Sequence, residues 1–488
     1  MIFLPGYLVL LISVLLFLAA FYFRKKTVFS LFLLIIGGLF LRLYLSSDTY
    51  LHEWDERYHA LVAKNLLKHP LVPTLYDNPV LPANESTWVD GHVWLHKQPL
   101  PLWIMATSLK VVGCTEFGLR FPSVLLSTLA ILLTFLISKE LFSKKTAFLS
   151  AFLHAIHGMV IELTAGRIAT DHVDVFFLFF IELAIYFAVL FRKKDKQYFN
   201  LLTGVCIGLA VLCKWLPAFI VLALWFVINY RHLKWQRTLA SLVIIVLSSA
   251  AVFVPWQIYI ITHFPVEAKR EYAYNLKHMS EVLDGNGGPF YYYFDKMRII
   301  FGELIYIPFI WLMYKFFKRY FSVQRAFLLL WILIPYLFFS FAKTKMQAYI
   351  IFCAPAFFIL TAYFIQYLSF IKFKPKLKIV SVIFSVLLLA LPVRYCFERM
   401  KFFDSNEKNT VWVIELKDLN SKLPANAIVF NHPNAIEGMF YTDFVFYSKI
   451  PSLAEIDLIK SKGYAIAIFT KRALPQEIKN VPGVIYLN

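Results

Sequence analysis

The chain has 488 residues, of which 60% are hydrophobic and 18% aromatic, and only 16% are charged, against about 25% in an ordinary soluble domain. Lys and Arg number 49 and Asp and Glu 30, a formal net charge of +19. These values exclude a soluble globular enzyme, a disordered tail and a disulfide scaffold, and leave a polytopic membrane protein whose positive excess needs a cause, either anionic ligands or membrane topology.

Apolar runs of about 20 residues mark membrane spans. In chain order they lie near 3–23, 28–46, 120–141, 146–165, 172–191, 198–213, 216–230, 238–261, 298–317, 326–342, 347–368 and 379–396, twelve in all. The runs at 198–213 and 216–230 share Lys214-Trp215 at their turn and also read as one bent element. No basic residue precedes the first run and Arg24-Lys25-Lys26 follows it, so it reads as an anchor rather than a cleaved signal.

Six basic clusters fall on one side of this twelve-span pattern: Arg24/Lys25/Lys26, Lys139/Lys144/Lys145, Arg192/Lys193/Lys194/Lys196, Arg231/Lys234/Arg237, Lys315/Lys318/Arg319/Arg325 and Lys372/Lys374/Lys376/Lys378. The positive-inside rule makes that side cytoplasmic. The clusters hold twenty-one basic residues and two acids, Glu140 and Asp195, which accounts for the whole excess of +19. The positive balance is therefore a topology signal, and nucleic acid is not an expected partner.

Residues 1–396 then form an all-α transmembrane domain with two long outer loops, 47–119 and 262–297. Residues 397–488 leave the membrane. Short apolar runs there (427–430, 444–447, 465–469 and 484–487) alternate with polar, helix-like stretches, the pattern of a small extracytoplasmic α/β domain. The five cysteines are scattered without CxxC spacing and give neither a disulfide framework nor a thiolate metal site. No GxxxxGK[ST] loop or dinucleotide fingerprint occurs, so no nucleotide or redox cofactor is expected.

Four outer segments carry chemistry. The first loop opens with Glu53-Trp54-Asp55-Glu56-Arg57-Tyr58-His59. A carboxylate at the membrane boundary suits a general base, and equally a solvated acidic cap of a helix start. The same loop closes with His96-Lys97-Gln98-Pro99-Leu100-Pro101-Leu102-Trp103. Its lysine suits a lipid phosphate, or an aromatic-belt lysine that snorkels. In Arg167-Ile168-Ala169-Thr170-Asp171-His172-Val173-Asp174 two acids share a face where a span begins. Boundary acids are functional candidates by default, and N-caps otherwise. Lys343-Thr344-Lys345-Met346-Gln347-Ala348-Tyr349 sets two lysines on the outer side, against the topology bias, which favours an anionic ligand. His52, His59, His69, His92 and His96 crowd the first loop near Asp55 and Glu56, but without HExxH spacing.

Together these segments resemble the GT-C glycosyltransferases, in particular the dolichyl-phosphate-mannose mannosyltransferase-like group that includes the bacterial aminoarabinose transferases of lipid A. The resemblance rests on Asp55-Glu56 with Tyr58 after an early helix, and on Lys97-Gln98-Pro99-Leu100-Pro101-Leu102-Trp103 at the loop's close. It continues through Gly113, Glu116, Arg120-Phe121-Pro122-Ser123, Arg167 with Asp171, Lys214-Trp215, and Lys345, Tyr349 and Pro355, an order covering most of residues 40–370. Gln98 stands where the family has the first Pro of a pair, and His96 where an acid often precedes the Lys.

The resemblance implies an inverting transfer of a sugar from a polyprenyl-phosphate carrier to a lipid, glycan or protein acceptor at the outer face of the inner membrane, among membrane lipids. It implies Asp55 as base, Glu56 and Asp171 as catalytic or acceptor-orienting acids, and Lys97, Arg167, Lys345, Tyr349, Arg57 and Tyr58 at the donor phosphate. It leaves room for a divalent ion at His96 and Glu56. The rival class is a transporter or flippase of a lipid-linked or anionic substrate. That class needs charges near the midplane and discontinuous helices, which the sequence does not clearly offer.

Overall fold

The computed structural model describes residues 4–83, 88–89, 91–318, 322–371, 374–403 and 410–487. Arg319 and Lys372, members of two basic clusters, lie outside the described residues, as do 404–409 and 488 of the expected C-terminal domain.

Helices dominate. In chain order they are α1 Gly6–Tyr22, α2 Thr27–Leu45, α3 Asp55–Asn65, α4 Pro99–Val112, α5 Glu116–Leu141, α6 Lys144–Ala155, α7 Gly158–Thr164, α8 Asp171–Lys194, α9 Tyr198–Lys214 and α10 Ile220–Asn229. Then follow α11 Trp235–His263, α12 Pro265–Ser280, α13 Tyr292–Phe301, α14 Tyr306–Phe317, α15 Val323–Phe341, α16 Ala354–Phe370, α17 Pro375–Met400, α18 Val411–Lys422, α19 Ala435–Tyr441 and α20 Leu453–Ser461. Four short strands, β1 Ala427–Phe430, β2 Val445–Tyr447, β3 Ala465–Phe469 and β4 Val484–Leu487, complete the chain.

The described residues divide into two compact units. One holds residues up to 47, 98–101 and 120–404; the other holds 48–97, 102–119 and 405–488.

In the first unit, seven described helices are long and apolar enough to cross a membrane, or eight if α6 and α7 count as one span bent by 52°. The count of twelve is not reproduced, and the backbone explains why. The runs at 3–23, 198–213 and 216–230 become shorter apolar helices. The run at 298–317 is split at Gly302, whose φ of +97° suits glycine. Hydropathy averages over such breaks and cannot register them. Lys214-Trp215 joins two separate helices rather than bending one. The long spans differ in cover: 83% of the apolar window of Gln347–Phe370 is buried in protein, but only 11% of that of α17, which leaves the α17 face to lipid.

A broken span exposes backbone groups that hydrocarbon cannot solvate. Arg42, fully buried, closes the break between α6 and α7. Its guanidinium donates to His154 O at 3.3 Å, Ala155 O at 3.0 Å and Gly38 O at 3.0 Å, and its Nε to Ser127 Oγ at 2.6 Å. A Cβ at Gly38 would meet Ile131 at 2.8 Å, so glycine lets the helices approach. On the far side of the break, the His157 ring accepts from Val160 N and caps α7. Glu182, alone in its run, accepts from Thr134 Oγ1 on α5 at 2.5 Å.

In the second unit the strands form one parallel sheet in the order β2-β1-β3-β4. Register pairs Ile428 with Val445 and Ile466, and Ile468 with Tyr486. β1 is buried along its length, as a parallel central strand of continuous apolar residues should be. The first loop is built into this unit. Lys64 of α3 donates to the carbonyls of Met439 (2.9 Å), Phe440 (3.1 Å) and Thr442 (2.6 Å) at the end of α19. Such a cation matches the negative end of a helix. The Tyr447 hydroxyl accepts from Val80 N and Leu81 N, and Tyr441 donates to Glu116 Oε1 at 2.9 Å.

Candidate functional site

In the second unit α3 begins at Asp55, with Asp55 and Glu56 in its first turn. The residue before it, Trp54, has φ +71° and ψ −131°. A bulky side chain there is strained by about 1–3 kcal/mol and persists only where its surroundings hold it. The two adjacent acids then take different jobs. Asp55 Oδ2 lies 3.3 Å from Lys97 Nζ, and the two side chains stay 15% and 18% exposed, within reach of a solute. Glu56 is buried and faces back: its Oε2 accepts from His52 N at 2.6 Å and lies 2.7 Å from His52 Nδ1. His52 Nε2 meets Asp48 Oδ2 at 3.1 Å. Asp48, His52 and Glu56 thus staple the turn that aims Asp55. Sequence reasoning missed Asp48, although its four-residue spacing to His52, and that of His52 to Glu56, was the available signal.

The neighbours of Asp55 pack inward. Arg57 pairs with Glu437 Oε1 at 3.3 Å and lies 5.2 Å from the Tyr58 ring centroid. Burial opposes the Arg57 charge, but Glu437, together with Tyr58 and Glu53, more than offsets it and holds the guanidinium above its ordinary value. Burial pushes the Glu437 carboxyl up, with Arg57 pulling back. Burial is the stronger influence on the acid, since Glu437 Oε2 has no hydrogen-bond partner among the described residues. Tyr58 is buried, 5.0 Å from the Trp88 ring and parallel to Trp94 at 6.4 Å. The His96 ring stacks on Trp88 at 4.3 Å.

In the first unit α8 begins at Asp171, after Thr170 at φ +70°, and Asp171 itself has φ +31°. Asp171, His172 and Asp174 are fully buried. Thr170 Oγ1 donates to Asp174, and Lys214 Nζ forms a close ion pair with the same carboxylate. Lys214 ends α9 ahead of another strained residue, Trp215 at φ +66°, and its ammonium sits 4.7 Å from the Tyr349 ring centroid. His172 Nδ1 is 2.7 Å from Ser123 Oγ, and Arg120 donates to Ser46 O at 3.3 Å. The Arg-x-Pro-Ser segment therefore secures the start of α8 and the end of α2. Arg167 is half-buried, its backbone N–H on Glu162 O at 3.1 Å.

The turn at Lys343-Thr344-Lys345 is threaded against the loop 262–297. Lys343 N and Thr344 N donate to His278 O, and Lys345 N to Asn286 O at 2.8 Å. Thr344 Oγ1 donates to Glu281 O at 2.8 Å. Lys345 is buried, and its ammonium donates to the Ala342 carbonyl. Burial, then the charge of Lys343, pulls its pKa down. Gln98, the departure from the family's Pro pair, accepts from Gln257 Nε2 at 3.0 Å.

The structure thus joins Asp55 to Lys97, and Tyr349 to the Asp174–Lys214 pair. The pair was not foreseen, although both residues stood in segments already marked. A metal fits poorly. Glu56 is engaged by His52, His96 is stacked on an indole, and among the described residues no group of three or more His, Cys, Asp or Glu side chains could hold an ion.

This architecture is that of a multi-pass membrane protein with the GT-C fold. Residues 96–259 match the family model of dolichyl-phosphate-mannose-protein mannosyltransferase. A protein of Aquifex aeolicus described as uncharacterized is 29% identical over 347 residues, covering 69% of this chain and 63% of that one. The undecaprenyl phosphate-alpha-4-amino-4-deoxy-L-arabinose arabinosyl transferase of Pseudomonas savastanoi pv. phaseolicola is 25% identical, covering 55% of this chain and 52% of that one. The matches therefore span less than two thirds of those relatives' lengths. The crystal structure of ArnT from Cupriavidus metallidurans bound to undecaprenyl phosphate superposes with a TM-score of 0.62 at 14% identity, covering 88% of this chain and 87% of that one. The resemblance to GT-C glycosyltransferases of the PMT/ArnT type holds in the family segment, in the relatives and in the fold.

Proposed function

We propose that the protein is a membrane glycosyltransferase that moves a sugar from a polyprenyl-phosphate carrier to a lipid, glycan or protein acceptor at the outer face of the inner membrane. The observation that carries this reading is the Asp55–Lys97 pair, a reachable carboxylate beside a cation at a strained helix start. The likeness to an arabinosyl transferase named for an undecaprenyl-phosphate-linked sugar, and to a structure holding undecaprenyl phosphate, supports the donor class.

In this reading the acceptor oxygen attacks the anomeric carbon in line. Asp55 takes its proton, and the carbon–oxygen bond to the carrier phosphate breaks with its electron pair leaving on the phosphate. The anomeric centre inverts. The charge that most needs stabilising is that of the departing phosphate. Lys97, Arg167, Lys345 and Tyr349 are proposed for it, with Arg57 and Tyr58 supporting the helix that bears the base. Glu56 acts through His52 to aim Asp55, and Asp171 is proposed to orient the acceptor. No step runs through a metal.

The test is transfer by purified protein from a carrier-linked sugar. Asp55→Asn should nearly abolish it and leave the protein folded and lipid-bound; near-normal transfer overturns the assignment. A transporter reading has some support in the break between α6 and α7 and in the buried charges Arg42 and Glu182. Uptake of labelled substrate into vesicles, without a glycosylated product, would reverse the ranking.

A further inference from the structure

The sheet of the second unit has its own place for a ligand. Its strands are all parallel and stand in the order β2-β1-β3-β4. From β1 the chain turns to one side to reach β2, and from β3 to the other side to reach β4. The loops that leave these two adjacent strands therefore diverge at their carboxyl ends. Open parallel sheets bind ligands at such a reversal of direction. Here the diverging loops are Asn431-His432-Pro433-Asn434 after β1 and Thr470-Lys471-Arg472 after β3.

One residue ties the loops together. Asn431 is buried at φ +63°, a conformation that asparagine tolerates better than most residues. Its backbone N–H donates to Tyr447 O at 3.0 Å and Lys449 O at 3.1 Å, past the end of β2. Its side-chain amide donates to Phe469 O at 2.8 Å and Arg472 O at 3.4 Å, past the end of β3. The strand ends are thus held in a fixed relation, and Arg472 is bent back towards β1.

The side chains presented there are donors. His432 Nδ1 accepts from Asn434 N at 3.0 Å, so the neutral ring carries its hydrogen on Nε2. That N–H has no partner among the described residues, although the residue is only 7% exposed. Burial, and then the charge of Lys471 with a smaller part from Arg472, keeps the ring neutral at pH 7. Lys471 gives one N–H to Glu415 at 3.1 Å and stays 56% exposed, which leaves two N–H groups. The Arg472 guanidinium is exposed and has no ion-pair partner among the described residues. Lys449 and Glu455 pair with each other and cancel. The pull on an anion comes from these side chains, not from α19, a helix of only seven residues. A guanidinium fork, an ammonium and a single ring N–H are three separate donors. A phosphate group offers three oxygens to them and a carboxylate two.

We propose that the carboxyl end of this sheet, between β1 and β3, binds the phosphate group of a small phosphorylated ligand such as a sugar phosphate, through Arg472, Lys471 and His432 Nε2–H. The site does not depend on the transferase reading.

The test is calorimetric titration of the full chain in detergent with glucose 6-phosphate, glucose, glucuronate and inorganic phosphate, with hydrogen exchange to locate the site. Glucose 6-phosphate should bind and protect residues 431–434 and 470–472. Inorganic phosphate should compete with it, and glucuronate should bind more weakly. Arg472→Gln should lower the affinity about tenfold, the worth of one hydrogen bond to a charged group. Arg472→Lys should retain part of it. Asn431→Gly keeps the backbone conformation but frees the loop after β3, and should also weaken binding. Glucose 6-phosphate binding no tighter than glucose, glucuronate binding as tightly, protection confined to other segments, or unchanged affinity in folded Arg472→Gln overturns the proposal.

Discussion

Asp55 in one unit and Asp171 in the other each open a helix behind a bulky or β-branched residue at positive φ, Trp54 at 71° and Thr170 at 70°. Both segments tie an acid to a lysine far along the chain. They differ in access. Asp55 and Lys97 remain 15% and 18% exposed, whereas Asp174 is sealed at 0% against Lys214 at 19%. A carboxylate that accepts a proton from a substrate must be reached by it, whereas Asp174 is already engaged by Lys214. The same local device, strain before an acidic helix start, thus leaves a reachable acid in the second unit and a sealed pair in the first.

Exchanging the fates of these acids tests the contrast most severely. Asp55→Asn should lower transfer about 10²–10⁴-fold, the worth of a general base, with little change in thermal midpoint. Asp174→Asn should do the opposite. It leaves the Lys214 ammonium beside a neutral amide and should cost about 3 kcal/mol of stability, read as a lower midpoint in detergent. A variant as stable as the parent would show that the sealed pair holds nothing.

A pH scan of the second unit should show a further effect. His432 packs edge-on against Phe469 at 4.5 Å, and its Nδ1 accepts from Asn434 N. Burial, and then Lys471, lowers its pKa from 6.5 to about 4. A histidine depressed on folding favours the fold while neutral. Its contribution is full above about pH 6.5 and is lost as pH falls to about 4, about 3 kcal/mol in all. Hydrogen exchange at β1 and β3 should report that loss, and His432→Asn should flatten it.

The smallest effect separates the two strained residues. Trp54 is 63% exposed, so Trp54→Gly removes little packing and should relieve about 1 kcal/mol of strain. Its midpoint should stay level or rise while transfer falls. Thr170→Gly should instead lose stability, because the Thr170 hydroxyl bonds Asp174. Equal responses would erase the distinction between the units.

The sequence made some of this legible. Apolar runs located β1, β3 and β4 to the residue, because a buried parallel strand is a short continuous apolar stretch between polar segments. The acidic and basic motifs marked Asp55, Lys97, Asp171 and Lys345 one by one. Pairing was not legible. Nothing in a linear pattern tells Glu56 to face His52 while Asp55 faces Lys97, since adjacent helix residues differ only in azimuth. Nor could hydropathy show the split at Gly302 or the break that Arg42 closes, since both are backbone events inside apolar text.

Arg57 meets Glu437 across 380 residues, and this spacing fixes a sequence of events in biogenesis. At about 5–20 residues per second, the helix bearing Asp55 leaves the ribosome some tens of seconds before α19 exists. Until then Lys64 has no carbonyls to clasp, and the strained backbone at Trp54 lacks the rest of the second unit that would hold it. A chain interrupted before the sheet is made would place its spans yet leave the acid undirected. Competence for the proposed transfer is therefore expected late in synthesis, with unfinished copies inert rather than wrongly active.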